Sequence, residues 1–443
     1  MHTDPMLAPN DLYAPSHHRN SAASANTNLR VCAIVLVIFI VAAILSAMRK
    51  DVTQGFDEVA HASYVAHLQR TGDIWPAFAD LRMLDPSTFR FTDEANYLNH
   101  PSPYYLLLAR LGPGLEGHPA GMLVYRLFNV ALAAIGLAAL MAIGVLAKLP
   151  RLPFYALVVP IACIPVMAPL AGAINNDNAA FAGGSIATLA AFRLLANGSR
   201  SWLFAALGGV ILASWAKFTG LVLAGGLVAG ALLWLVWRGR LPFQWIVPIA
   251  IAMLLAGVPY VALLAQYGSP APTTPGVMAM IKTGALTMGW DSAPRMTPVS
   301  FFMHFVSEFV AEWMPALRER SALNYAALAI PIAAGLCALG GIWVAGVRIV
   351  RGTEGPLEIV VVAGALAFAV TLLLHIIFGY RLHTEFGWMT TAYPRYYLPL
   401  AGVVPLAGLS LLGAIRQSTI RTLLLAFLIG GPVAFRLLGA PLG

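Results

Sequence analysis

The chain has 443 residues, 59% of them apolar and 10% charged, with a formal net charge of +8 and a mean hydropathy of +0.77. Soluble domains average about 45–50% apolar and about 25% charged residues, so this balance excludes an ordinary soluble globular protein and indicates an integral membrane protein. The basic residues fall mostly in pairs between apolar runs, as orientation signals do, and so do not call for a nucleic-acid partner.

In chain order, residues 1–30 are rich in Ser, Asn and Pro and read as a disordered cytoplasmic tail, too long and too polar for a typical cleaved signal peptide. Eleven apolar runs follow, near 31–48, 121–147, 152–174, 178–196, 202–216, 218–237, 243–265, 325–347, 357–378, 397–415 and 421–437, with a short end at 438–443. Each approaches the roughly 20 residues a bilayer crossing needs, and a reversal is required at Lys217, because runs five and six together are twice that length. The expected fold is therefore an all-α polytopic membrane protein. Cys32, Cys163 and Cys337 all lie inside apolar runs and suggest packing rather than a disulfide or metal motif.

Paired bases at Lys148 and Arg151, Arg193 and Arg200, Arg238 and Arg240, Arg348 and Arg351, and Arg416 and Arg421 mark five loops on one side, which the positive-inside bias makes cytoplasmic. Arg49 and Lys50 fall on the other side and go against the pattern. The remaining polar residues concentrate in outer loops at 49–120, 266–324 and 379–396, while the span interiors hold almost no charge. That distribution favours chemistry at the outer face over a polar pathway through the membrane, where ionisable side chains would line the route. Neither an inverted repeat nor matched Gly/Pro-broken segments point to a transporter.

The stretch VTQGFDEVAHASYVAHLQRTGDIWP at 52–76 holds an unusual density of polar groups just past the first span. Asp57 to Arg70 is patterned as a helix closed by Thr71 and Gly72, with Asp57, His61 and Tyr64 on one face and Glu58 beside His61. Acids here suit a general base or metal ligands, and they equally suit a helix cap, where exposed N–H groups favour negative charge. His61 and His100 would complete a metal constellation with Asp57 and Glu58, so a divalent metal is the candidate cofactor. Lys217, in SWAKFTG at an outer turn between charge-free runs, suits a lipid phosphate or simple snorkelling to the interface. Within 266–324, residues 301–321 pattern as an amphipathic helix that either lies on the membrane surface or packs against the first loop.

FDEVAHASYVAHLQRTGDIWP with NHPSPYYLLL at 99–108, INNDNAAFAGGSIATLAAF at 174–192, ASWAKFTGLVL at 213–223 and YPRYYLPLAGVVPLAGL at 393–409 together resemble the GT-C glycosyltransferases, among them protein O-mannosyltransferases and lipid A aminoarabinose transferases. The resemblance covers most of the chain and implies a GT-C-like bundle of about 11 transmembrane helices whose two long outer loops carry short amphipathic helices. It implies transfer of a sugar, with inversion, from a polyprenyl-phosphate-linked donor to a lipid, glycan or protein acceptor at the outer face of a bacterial inner membrane.

On the same resemblance Asp57 matches the catalytic aspartate, with Glu58 and Asp177 as further catalytic acids, although the NNDN cluster around Asp177 also suits a turn. Lys217, Arg395 and Arg295 are the candidate donor-phosphate contacts, and His100, Tyr104 and Tyr64 the candidate substrate contacts. HPSPYY departs from the family element by a serine in place of its second proline, which leaves sugar specificity open. A transporter or flippase of a lipid-linked sugar, and a non-catalytic lipid-binding relative, are the alternatives.

Overall fold

The structure is a computed structural model that describes residues 18–284, 295–311, 322–388 and 393–439. Residues 1–17 of the expected tail, 285–294 of the expected second outer loop, 312–321 of the amphipathic candidate, 389–392 of the expected third outer loop and 440–443 lie outside the described residues. Among those described, eight helices are long and apolar enough to cross a membrane, or nine when a bent pair counts as one span. The protein is an all-α polytopic membrane protein, and every one of the eleven apolar runs is helical for most of its length.

Two runs differ from straight crossings. The run at 152–174 divides into α5 (Arg151–Ala162) and α6 (Met167–Ala171). Pro165 stands in the break and has no N–H to continue the ladder. The run at 397–415 divides into a 3-10 helix, Pro394–Leu400, and α15 (Val403–Ala414), bent by 61°. At the N-terminus α1 (His18–Arg49) begins well inside the expected disordered tail, because adding residues to an existing helix is far easier than nucleating one.

The membrane bundle is built on α4 (Met122–Leu146), α7 (Asp177–Asn197), α8 (Arg200–Ala216), α9 (Phe218–Trp237) and α14 (Pro356–Phe386), whose apolar side chains share one core with those of α1, α5 and α15. α7 and α8 approach through glycine: a Cβ added to Gly183 would come within 2.6 Å of the Gly209 carbonyl oxygen, the small-residue contact that membrane helices use where apolar burial alone gives no driving force. α10 (Ile246–Tyr267), α13 (Ala322–Val350) and α16 (Ser418–Gly439) pack around this centre. α8 and α9 reverse on a single extended residue, Lys217, with φ −161° and ψ 147°.

The first long loop, expected outside, is a folded unit. α2 (Glu58–Thr71), a hairpin of β1 (Arg82–Leu84) and β2 (Phe91–Ala95), and α3 (Pro103–Leu111) enclose a second core around Tyr64, Leu68, Leu81, Tyr105, Leu108 and Tyr125. The strands are antiparallel, with Arg82 opposite Ala95 and Leu84 opposite Phe91, and the register is irregular between the two pairs. α2 ends as its sequence indicates, on Gly72 at φ 75°, a left-handed conformation that glycine adopts without a Cβ clash. The second loop supplies α11 (Pro275–Lys282) and α12 (Pro298–Ala311). α12 buries Phe301 and Phe305 and leaves Phe302 and Met303 exposed. Phe301 packs on Tyr380 and His383 near the end of α14, so this helix has both a protein-facing and an outward apolar face.

Candidate active site

Gly55, Phe56 and Asp57 run consecutively with positive φ, at 78°, 61° and 58°. Two non-glycine residues in a row in this region make a strained turn, of the kind that persists where its surroundings enforce it. The turn presents Asp57 at the head of α2 without using it as a side-chain cap, for its carboxylate makes no cap hydrogen bond. Instead Oδ2 accepts from Arg395 Nη2 (2.8 Å) and Oδ1 accepts from the Tyr97 hydroxyl (3.2 Å). The Asp57 side chain remains 41% exposed, unlike the charged groups around it.

Asp177 opens α7 at the same place. Its Oδ1 accepts from Lys217 Nζ (2.9 Å), and its Oδ2 lies 3.6 Å from Arg395 Nε. Arg395, from late in the chain, therefore bridges two acids of its first half, and Lys217, displaced from both helices by its extended backbone, closes the group. The Lys217 ammonium also lies 3.4 Å from the centre of the Tyr396 ring. Because the bend before α15 carries Arg395 and Tyr396 together, the broken run at 397–415 is what delivers the guanidinium. Two acids and two bases from four segments thus form one cluster, in which Asp177 and Lys217 are buried, Arg395 is largely covered and Asp57 is the most exposed.

The NNDN turn does more than reverse the chain. Asn175 Oδ1 accepts from the Asp177 N–H (2.8 Å), and its Nδ2 donates to Phe56 O (2.8 Å) and to His61 Nε2 (3.1 Å). Asn176 donates to Ala216 O (2.7 Å), tying the turn to the end of α8 next to Lys217. Asn178 donates to Asn129 Oδ1 (3.1 Å). These buried amides hold the Asp57 turn, the head of α7 and the Lys217 reversal in one frame, since a buried polar group is kept by its partners.

Glu58, expected beside Asp57 in the chemistry, points the other way and is buried. Arg126 of α4 grips it through two parallel bonds of 2.8 Å each, Ile174 N–H donates to it (2.9 Å), and Lys50 lies 3.7 Å away. Arg126 also donates to the carbonyls of Ala47 (2.8 Å) and Lys50 (2.9 Å) at the end of α1. The pair locks α1, α2, α4 and the NNDN turn together. Burial pushes Lys50 down to about 8 against the upward pull of Glu58.

The four residues suggested as metal ligands do not form a ligand set. Glu58 is committed to Arg126, and His61 has both ring nitrogens engaged, Nε2 by Asn175 and Nδ1 by the Tyr105 hydroxyl (2.8 Å). Acceptance from the amide at Nε2 assigns the proton to Nδ1 and the ring to its neutral form. Burial, with Lys217, Arg395 and Lys50 adding to it, holds His61 well below the usual histidine range. His100 is lowered likewise, by burial first and then by Lys217. Among the described residues no three His, Cys, Asp or Glu side chains converge as a metal site.

Tyr64 and Tyr104, expected to touch substrate, are buried. The Tyr104 hydroxyl donates to Asn129 Oδ1 (2.8 Å) and that of Tyr64 to His100 O (3.4 Å). Tyr64 belongs to a stack of rings, Tyr64 on Tyr105 (4.2 Å), Tyr105 on His61 (5.7 Å) and His61 on His100 (6.0 Å), and Tyr104 meets Tyr105 edge-on (5.0 Å). Arg295 lies against the end of α14, donating to Thr384 O (3.4 Å). The sequence reasoning missed Tyr97, Tyr396, Asn175 and Arg126. For Arg126 a signal existed: a lone arginine within an apolar run needs a partner.

Comparison with known families gives no matching family model, and no curated protein matches. Among solved structures the chain is similar to ArnT from Cupriavidus metallidurans in the apo state, with a TM-score of 0.46 and 17% identity over 88% of this chain and 61% of that one. It is also similar to ArnT from the same organism bound to undecaprenyl phosphate, with a TM-score of 0.38 and 16% identity over 90% of this chain and 77% of that one. The chain thus spans less than two thirds of the first of these.

Proposed function

We propose that the protein is a membrane glycosyltransferase of the GT-C type, which moves a sugar from a polyprenyl-phosphate-linked donor to an acceptor at the periplasmic face of the inner membrane. The supporting observation is the cluster itself: Asp57, strained, making no cap bond and partly exposed, is paired with Arg395 beside the Lys217–Asp177 pair. A base for the acceptor and positive charge for a leaving phosphate are what such a transfer requires from the protein.

In this mechanism an acceptor hydroxyl approaches Asp57, which takes its proton as the oxygen attacks the anomeric carbon. The bond from that carbon to the phosphate oxygen breaks, its electron pair leaves with the polyprenyl phosphate, and the configuration inverts. Arg395 and Lys217 meet the charge growing on the phosphate. Asp177 holds both cations in place between turnovers, so it is a positioning residue, as is Glu58 through Arg126. Positioning and charge supply most of the catalysis, because a phosphate is already a competent leaving group.

The test is Asp57→Asn. Asn is isosteric, tolerates the left-handed backbone better than most residues and keeps an oxygen for Arg395, so folding and donor binding should be preserved. It cannot take a proton, and loss of a general base commonly costs about 10² to 10⁴ in rate. Transfer from labelled donor lipid by the purified variant in nanodiscs should fall by that factor. Wild-type rates would remove Asp57 from the chemistry and leave the turn a structural feature.

A further inference from the structure

At the end of the bundle that carries the basic pairs lies a cavity of about 310 Å³, lined by the C-terminal turns of α4 and α7 and by the start of α14. Much of its wall is apolar, with Leu146, Phe192 and Leu412 among the lining side chains. Four charged residues also line it: Arg193, Arg348, Glu354 and Glu358. It stands apart from the cluster at Asp57, since Arg193 is roughly 24 Å along α7 from Asp177 at 1.5 Å per residue.

Two of these charges are matched. Glu358 accepts from Arg348 (2.6 Å) and from the Gly355 N–H (2.9 Å). The other two are not fully matched. The Glu354 side chain is only 3% exposed, with one oxygen paired to Arg238 and the other, Oε2, buried without a hydrogen-bond partner. Arg193 Nε is buried without a partner as well, its guanidinium resting 5.7 Å from the Trp202 ring centre. Both unmatched groups thus belong to residues that line one cavity, beside apolar walls. Unmatched buried groups of this kind are costly, and a ligand that supplies both complements relieves them together.

We propose that this cavity binds a membrane phospholipid whose headgroup carries a phosphate and a primary ammonium, as in phosphatidylethanolamine. The phosphate meets Arg193, the ammonium donates to Glu354 Oε2, and the proximal acyl chain lies along the leucines. A phosphatidylcholine headgroup has no N–H to give the carboxylate, and phosphatidylglycerol has no cation at all. The site is independent of the reaction at Asp57.

The experiment is native mass spectrometry on the full-length protein, delipidated in detergent and offered equimolar phosphatidylethanolamine, phosphatidylglycerol and phosphatidylcholine with identical acyl chains. The wild type should retain phosphatidylethanolamine about tenfold or more over the other two, the scale of one charge-assisted hydrogen bond. Glu354→Gln should bring that ratio close to one, and Arg193→Gln, which breaks no ion pair among the described residues, should lower retention of all three phospholipids, since each carries the phosphate. Ratios are read on folded monomer peaks, so a drop in yield does not disturb them. Equal retention of the three lipids by the wild type would overturn the proposal, as would an unchanged preference in Glu354→Gln. Displacement of the lipid by an equal concentration of glycerophosphoethanolamine would overturn the lipid assignment and make this a site for a soluble headgroup.

Discussion

Glu58→Gln separates the two acids that stand side by side in the sequence. In the structure Glu58 receives two bonds from Arg126 and one from Ile174 N–H, with Lys50 close by. Neutralising it leaves a buried guanidinium without its counter-charge, and breaking a buried pair in this way typically costs about 3–5 kcal/mol. Lys50, already pushed down to about 8 by burial, loses its main stabilising neighbour at the same time. Thermal unfolding of Glu58→Gln in nanodiscs should therefore begin well below that of the wild type, while Asp57→Asn should unfold near it. Adding Arg126→Met to Glu58→Gln removes the orphaned charge, and the double variant should recover at least half of the lost stability. A Glu58→Gln protein that melts with the wild type yet has lost transfer would refute this reasoning and return Glu58 to the chemistry.

Lys217→Ala should weaken binding of labelled polyprenyl phosphate by about ten- to a hundredfold, with Lys217→Arg nearer the wild type, because the charge at the phosphate is what is lost; equal, near-normal binding by both would leave snorkelling as the explanation. The folded pKa of His61 lies well below the ordinary 6.5, so the folded state binds fewer protons than the unfolded one, and stability that is whole above about 6.5 is lost as pH falls below it, by up to about 1.4 kcal/mol per pH unit. His61→Gln, which keeps an acceptor and a donor, should shrink the fall in melting temperature between pH 7.5 and 5.5, and an unchanged fall would show that His61 is not held neutral. Cysteines introduced at Ser87, in the outer hairpin, and at Asn197, at the opposite end of α7, should react oppositely with an impermeant reagent on intact cells, Ser87→Cys being the one labelled; labelling of Asn197→Cys alone would place the cluster on the cytoplasmic side.

The legible part of this molecule was what apolar length and local signals encode. All eleven runs are helical, the reversal at Lys217 occurs on that residue, and α2 stops at Gly72. Breaks within runs were less legible, because a proline inside an apolar stretch is compatible with a kink, a broken span or a full stop, and packing decides which. Thus Pro165 divides one run, whereas α10 continues through Pro259 and α13 through Pro331. At the site, the resemblance brought forward Asp57, Asp177, Lys217 and Arg395, which the fold unites, while periodicity alone left Asp57 and Glu58 equivalent. Their difference lies in backbone geometry and distant partners: a left-handed turn aims Asp57 at a residue 338 positions away, and Glu58 faces one 68 positions away. Neither separation leaves a trace in local pattern.

Lys50 shows how a local rule gives way to such a partner. By the positive-inside bias it stands on the wrong side of the first span, and nothing near it in sequence accounts for that. In the fold its ammonium lies 4.3 Å from the centre of the Phe56 ring and 3.7 Å from Glu58, and its carbonyl accepts from Arg126 (2.9 Å). Topology signals act through bases that remain free to meet the cytoplasmic surface, and this lysine is enclosed by the same strained turn that presents Asp57. The exception is therefore a consequence of building the scaffold of the candidate site directly onto the end of a membrane span: Phe56, one residue before the proposed base, is held by Lys50 through its ring and by the Asn175 amide through its carbonyl. Replacing Lys50 should loosen the Asp57 turn without removing any atom of Asp57, Asp177, Lys217 or Arg395.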